Sequence, residues 1–179
     1  MKILQTNILK AFLSLSVAFF SYSAFTQEEI ETTVEDASAL AELMGAPIKM
    51  DVSSSVFPTQ MGNFYISEEP VGLIMAMLAP QSYESSKVEL EGKSTEFGED
   101  TKVKDKGTFT YNGREFSFVK ATAKKDGKKL WLEMYAVGDG NDKTIFIVGA
   151  CDLKAKSTFV DHFKKAAISS EIEKSEPAE

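Results

Sequence analysis

The stretch TFTYNGREFSFVKATAKKDGKKLWLEMYAV, residues 108–137, decides how this chain folds. Asn112-Gly113 is the preferred pair for a two-residue type I′ hairpin turn, because both turn positions need positive φ. With that loop Tyr111 faces Arg114 and Phe109 faces Phe116, so Phe109, Tyr111, Phe116 and Phe118 share one face. Asp126-Gly127 marks a second tight turn. Across it, Val119, Ala121 and Ala123 meet Leu130, Leu132 and Met134. The two sets lie on opposite faces, since Phe116 and Phe118 alternate with Val119, Ala121 and Ala123. Trp131 and Tyr135 likewise alternate with Leu130, Leu132 and Met134. The simplest account is a sheet covered on both sides, one face aromatic and the other aliphatic.

Residues 143–151 continue this pattern. They are apolar on both alternating sets, as an interior strand is. Residues 71–79 read the same way, bounded by Pro70 and Pro80. A short strand is expected over 63–67. Polar residues 83–97 carry a sparse stripe of Tyr83, Val88, Leu90 and Phe97, which predicts a helix. A second helix is expected over 153–167, capped by Asp152, with Phe159, Val160, Phe163, Ala166 and Ala167 on its apolar side. Residues 168–172 read as a final strand and 175–179 as a frayed tail. Ahead of the sheet, Val34, Ala37, Leu40 and Met44 recur at helical spacing, so residues 32–44 are expected to be helical until Gly45-Ala46-Pro47 stops them.

The first 26 residues have the layout of a secretory signal peptide. Lys2 and Lys10 give a positive start, 11–20 are apolar apart from two Ser, and no acidic residue precedes Glu28. Cleavage is expected before Ala24 or Gln27. The apolar core is short for a membrane span, so no stable insertion is expected after cleavage. The expected destination is the periplasm of a Gram-negative-type envelope, or the medium. Loss of Lys2 and Lys10 leaves 18 basic against 27 acidic residues, a net charge of −9. A domain so charged repels nucleic acid and does not favour anionic membranes. Cys151 is the single Cys, so no intramolecular disulfide forms, and its apolar neighbours predict burial.

The acidic run Gly138-Asp139-Gly140-Asn141-Asp142 invites comparison with a calcium loop. That loop needs oxygen ligands at alternate positions and a distal bidentate Glu. Here Lys143 takes an alternate position and Ala150 the twelfth. The stretch is read as a hairpin loop of about five residues, with Gly and Asn supplying positive φ. His162 is the only His, which leaves a zinc site or a His-dependent nucleophile without partners at supporting spacing. No G-x-S-x-G, P-loop or G-x-G-x-x-G occurs. Glu84, Glu89, Glu96, Glu99 and Asp100 read as a solvated face rather than as paired catalytic carboxylates. No catalytic residue, metal ligand or cofactor is therefore assigned. Arg114, the sole Arg, stands beside a hairpin turn, and Arg and Trp are enriched in interface hot spots. Arg114, Asn112 and Trp131 are the candidate contacts to a protein partner.

The order of elements now carries a resemblance. A short strand near 63–67, an apolar strand ending in Pro80, a polar helix, the NGREFSFVKA hairpin, the KKDGKKLWLEMYAV and TIFIVGACD strands and the closing helix FVDHFKKAAISS follow one another. This resembles the PsbP-like family over residues 57–172. The resemblance implies an α+β fold, an antiparallel β-sheet with helices on both faces (an α/β/α sandwich). It also implies a mostly non-catalytic role in binding or stabilising partner proteins. The organisation read from the whole chain is a signal peptide over 1–26, an N-terminal helix and linker over 27–56, the domain over 57–172 and a tail over 173–179. The expected function is an exported, monomeric accessory domain of the envelope that acts through an unidentified protein partner. The alternatives are a carrier of a small apolar ligand held between sheet and helix, and a carboxylate hydrolase.

Overall fold

A computed structural model describes residues 47–92, 101–125, 127–140 and 142–172. The expected signal peptide, the helix over 32–44, the last residues of the 83–97 helix and the tail lie outside them. Among the described residues, nine strands and two α-helices follow in order: β1 (Ile48–Lys49), β2 (Thr59–Met61), β3 (Phe64–Ser67), β4 (Gly72–Ala79), α1 (Tyr83–Gly92), β5 (Lys102–Tyr111), β6 (Arg114–Lys125), β7 (Lys128–Gly138), β8 (Thr144–Asp152), α2 (Lys156–Ser169) and β9 (Glu171–Ile172). Seven strands form one antiparallel sheet in the order β2-β3-β4-β8-β7-β6-β5, and β1 pairs with β9 beside it.

The hairpins set the register. Asn112 and Gly113 both have positive φ, 49° and 76°, and Tyr111 pairs with Arg114 and Phe109 with Phe116. Across β6 and β7, Val119 opposes Met134, Ala121 opposes Leu132 and Ala123 opposes Leu130. The two faces divide as the alternation requires. Phe116, Trp131, Tyr135, Ile145, Ile147, Ile74 and Tyr65 pack with Phe159 and Phe163 of α2. Leu73, Met75, Met77, Met134, Phe146 and Val148 pack with Leu90 of α1 on the other face. Helices therefore lie on both faces of the antiparallel sheet, the α+β architecture expected. The chain ahead of β2 already belongs to this body, with Ile48, Met50 and Phe57 in the core.

Glycines lie beneath α2 where its two Phe rings rest on the sheet. A Cβ on Gly149 would stand 2.2 Å from Phe163 Cγ, and one on Gly72 2.6 Å from Phe159 Cζ. Ser82 immediately precedes α1, and its Oγ accepts from the Ser85 N–H at 3.4 Å, a local N-cap. It is tied down by a buried cluster in which Ser86 Oγ meets Thr144 Oγ1 at 2.9 Å and Gln81 Nε2 donates to Ser86 Oγ at 2.8 Å.

Two expectations about the last helix need correction. Asp152 makes no side-chain cap, because its carboxylate precedes a 3₁₀ turn, Leu153–Ala155, and the α-helix begins only at Lys156. The helix also runs on to Ser169, which shortens the final strand to Glu171–Ile172. Among the described residues no helix is long and apolar enough to cross a membrane.

Candidate functional site

β7 brings Trp131, Glu133 and Tyr135 to the α2 side of the sheet, because alternate residues of a strand share a face. Glu133 is 1% exposed. Trp131 Nε1 donates to its Oε1 at 2.8 Å and the Tyr135 hydroxyl donates to its Oε2 at 2.5 Å. Each carboxylate oxygen thus holds a donor on its own strand. Burial, and then the Glu133 charge, push the Tyr135 hydroxyl far above its ordinary range. Cys151 opposes Trp131 across the β7–β8 ladder and is fully buried. Burial, followed by the charges of Glu133 and Asp152, raises its thiol to about 12, while Lys156 acts in the opposite sense. A thiol so placed is protonated and inert at neutral pH.

The cluster opens toward the start of α2. Lys156 Nζ lies 3.4 Å from the centroid of the Trp131 ring. Three further cations stand over rings on the same side. Lys120 covers Phe118 at 5.4 Å, Lys164 covers Phe109 at 5.3 Å and Arg114 covers Phe116 at 5.4 Å. Together they line the margin where α2 meets β6 and β5.

The three candidate contacts do not converge. Asn112 and Arg114 share the β5–β6 hairpin tip, whereas Trp131 pairs with Thr122, eight residues further along β6 and so about 27 Å away at the rise of a strand. Asn112 is exposed. Arg114 is half-buried and its Nη1 donates to the Ser170 carbonyl at 2.9 Å, at the C-cap of α2. That contact ties the hairpin tip to the helix terminus and suits the negative end of the helix. Trp131 is only 6% exposed, beneath Lys156.

The acidic loop after β7 closes on itself. Asp139 N–H donates to the Lys143 carbonyl at 3.0 Å and Lys143 N–H donates to Asp139 Oδ1 at 3.1 Å. Positive φ occurs at Gly140 and Asp142; Asn141 lies outside the described residues. His162 on α2 sits edge-on to Phe57 at 6.0 Å. Of the five acidic residues read as a solvated face, Glu96, Glu99 and Asp100 lie outside the described residues. Among the described residues no group of three His, Cys, Asp or Glu is arranged to hold a metal.

Glu133 is the functional-looking residue that motif reasoning missed. Its signal was present in LWLEMYAV, where one carboxylate interrupts a two-faced apolar strand with an aromatic two residues to either side.

No family model and no curated protein matches the sequence. Solved structures share its fold. LpqN of Mycobacterium tuberculosis, described as involved in cell envelope biogenesis, superposes with a TM-score of 0.56 at 13% identity over 82% of this chain and 100% of LpqN. PA94 of Pseudomonas aeruginosa, a protein of unknown function described as a putative regulator, gives 0.50 at 7% identity over 74% of this chain and 85% of PA94. The cyanobacterial PsbP of Synechocystis sp. PCC 6803 gives 0.42 at 7% identity over 82% and 98%. At these identities the likeness to LpqN and PA94 is one of fold alone.

Proposed function

We propose that this protein is an exported, non-catalytic accessory domain of the bacterial cell envelope that acts by binding a protein partner. The observation that carries the reading is the state of Glu133. A buried carboxylate is the residue most suited to chemistry in this fold, and here both oxygens are engaged by Trp131 and Tyr135 within the core. That arrangement serves architecture, since a general acid or base needs an oxygen within reach of a substrate. The leader-like N-terminus and the fold shared with LpqN, itself described as involved in envelope biogenesis, support the compartment. A carrier of an apolar ligand between sheet and α2 is less well supported, because Phe159 and Phe163 lie directly against Gly72 and Gly149 and fill that interface.

The test is fractionation of cells expressing the full chain, with formaldehyde crosslinking before lysis. The reading expects a shortened chain in the extracytoplasmic fraction and one reproducible crosslinked species. An unprocessed chain in the cytoplasm would contradict it, as would turnover of envelope substrates by the purified protein.

A further inference from the structure

Charge is distributed very unevenly along this chain. Residues 27–100 hold 15 acidic and 3 basic residues, whereas residues 101–172 hold 9 acidic and 14 basic ones. The second segment supplies β5 to β9 and α2, so an acidic protein carries a basic half. α2 packs on β8, β7 and β4, which leaves β6 and β5 extending beyond it on the same face. Two strands add a shelf about 10 Å wide, and the helix beside it forms a wall of about the same height.

The cations gather on that ledge. Lys120 and Lys124 project from β6, and Lys129, the register partner of Lys124, projects from β7. Lys156 and Lys164 come from the wall, eight residues and so about 12 Å apart. Among the described residues, none of these five lysines has a carboxylate within ion-pair distance. The floor between them is half-buried and aromatic, with Phe109 and Phe118 under Lys164 and Lys120. Among the described residues, the acidic groups on this side include Asp105, opposite Lys120 on β5, exposed Asp161 on α2, Asp152 ahead of α2, and Glu133 beneath. Cations set over rings keep their outward N–H groups available while their charge is held in place.

We infer that the ledge between α2 and β5–β6 is the docking site for an extended acidic segment of a partner protein. The inference rests on the reading that this chain acts through a protein partner. Charge complementarity selects an acidic occupant. The helix wall selects an extended chain over a flat bilayer. From Arg114 to Lys124 the ledge runs about 34 Å, the length of about ten extended residues. The aromatic floor takes the apolar side chains of such a segment, and the lysines take its carboxylates.

Fluorescence anisotropy of the mature protein with a dye-labelled peptide, Glu alternating with Leu over the length of the ledge, tests this. A Gln-for-Glu peptide and phosphatidylglycerol vesicles serve as the comparison probes. The expected result is salt-sensitive binding of the Glu peptide alone. It should weaken about tenfold or more in the triple variant Lys120→Glu, Lys124→Glu, Lys164→Glu, and by less in the corresponding Lys→Gln triple. Near-UV dichroism of Trp131 identifies any misfolded variant, and the Gln triple then decides. Equal binding of the Gln peptide, unchanged binding by the triple variant, or binding to vesicles in place of peptide would overturn the inference. If wild type and triple variant crosslink the same envelope partner equally well, the ledge is excluded while the accessory role stands.

Discussion

At the scale of the residue, Glu133 is the most consequential side chain in the molecule. A buried carboxylate is tolerated only when its oxygens are satisfied, and Trp131 and Tyr135 do this from the same strand. Removing the acid would strand two buried donors. Glu133→Ala should therefore destabilise by about 3 kcal/mol. Tyr135→Phe, which leaves one oxygen without its donor, should cost about 2 kcal/mol. Urea midpoints at constant slope measure both. Cys151 makes a second claim at this scale. Its thiol moves from 9.0 to about 12 on folding, so the folded chain keeps the proton longer than the unfolded one. The resulting stability is complete below pH 9 and is lost as pH rises toward 12. The raised Tyr135 hydroxyl acts in the same direction at higher pH. Cys151→Ala should flatten the first part of this decline, and a thiol reagent should label Cys151 at pH 8 only after unfolding.

At the scale of the element, the seat of α2 depends on two glycines. Gly149→Ala places a methyl inside the Phe163 ring contact, so the helix must lift or the ring must turn. The expected cost is about 3 kcal/mol, read by thermal or urea unfolding. Arg114→Ala should loosen the other end of the helix by about 1 kcal/mol, seen as faster amide exchange in β9 and the last turn of α2. The hairpins and the division of faces were legible in residues 108–137, because turn chemistry fixes register and register fixes which side chains share a face. The ends of α2 were less legible. An Asp before an amphipathic run suggests a cap, but the backbone there spends three residues in a tighter turn first. The Trp-Glu-Tyr arrangement was also hidden. Strand periodicity places three side chains on one face, yet whether a helix then covers that face is a tertiary fact.

At the scale of the whole molecule, the net charge of −7 hides a basic half. The total alone argues against polyanions, whereas the separation of the two halves creates a face with the opposite preference. The split was countable in the sequence, but the ledge was not, because it depends on where α2 stops and β6 and β5 continue. Purified protein should accordingly bind a cation-exchange matrix weakly at neutral pH despite its acidic total. The Lys120→Glu, Lys124→Glu, Lys164→Glu variant should lose that retention. The proposed role of this domain is to hold a protein partner in the envelope. Site-specific photocrosslinking in living cells tests it most directly, with the photoreactive residue placed at Thr122 on the ledge and, separately, at exposed Val88 on α1. The account expects a discrete protein adduct in the envelope fraction from Thr122 and none from Val88. Absence of an adduct at both positions, or the same adducts from both, would contradict it.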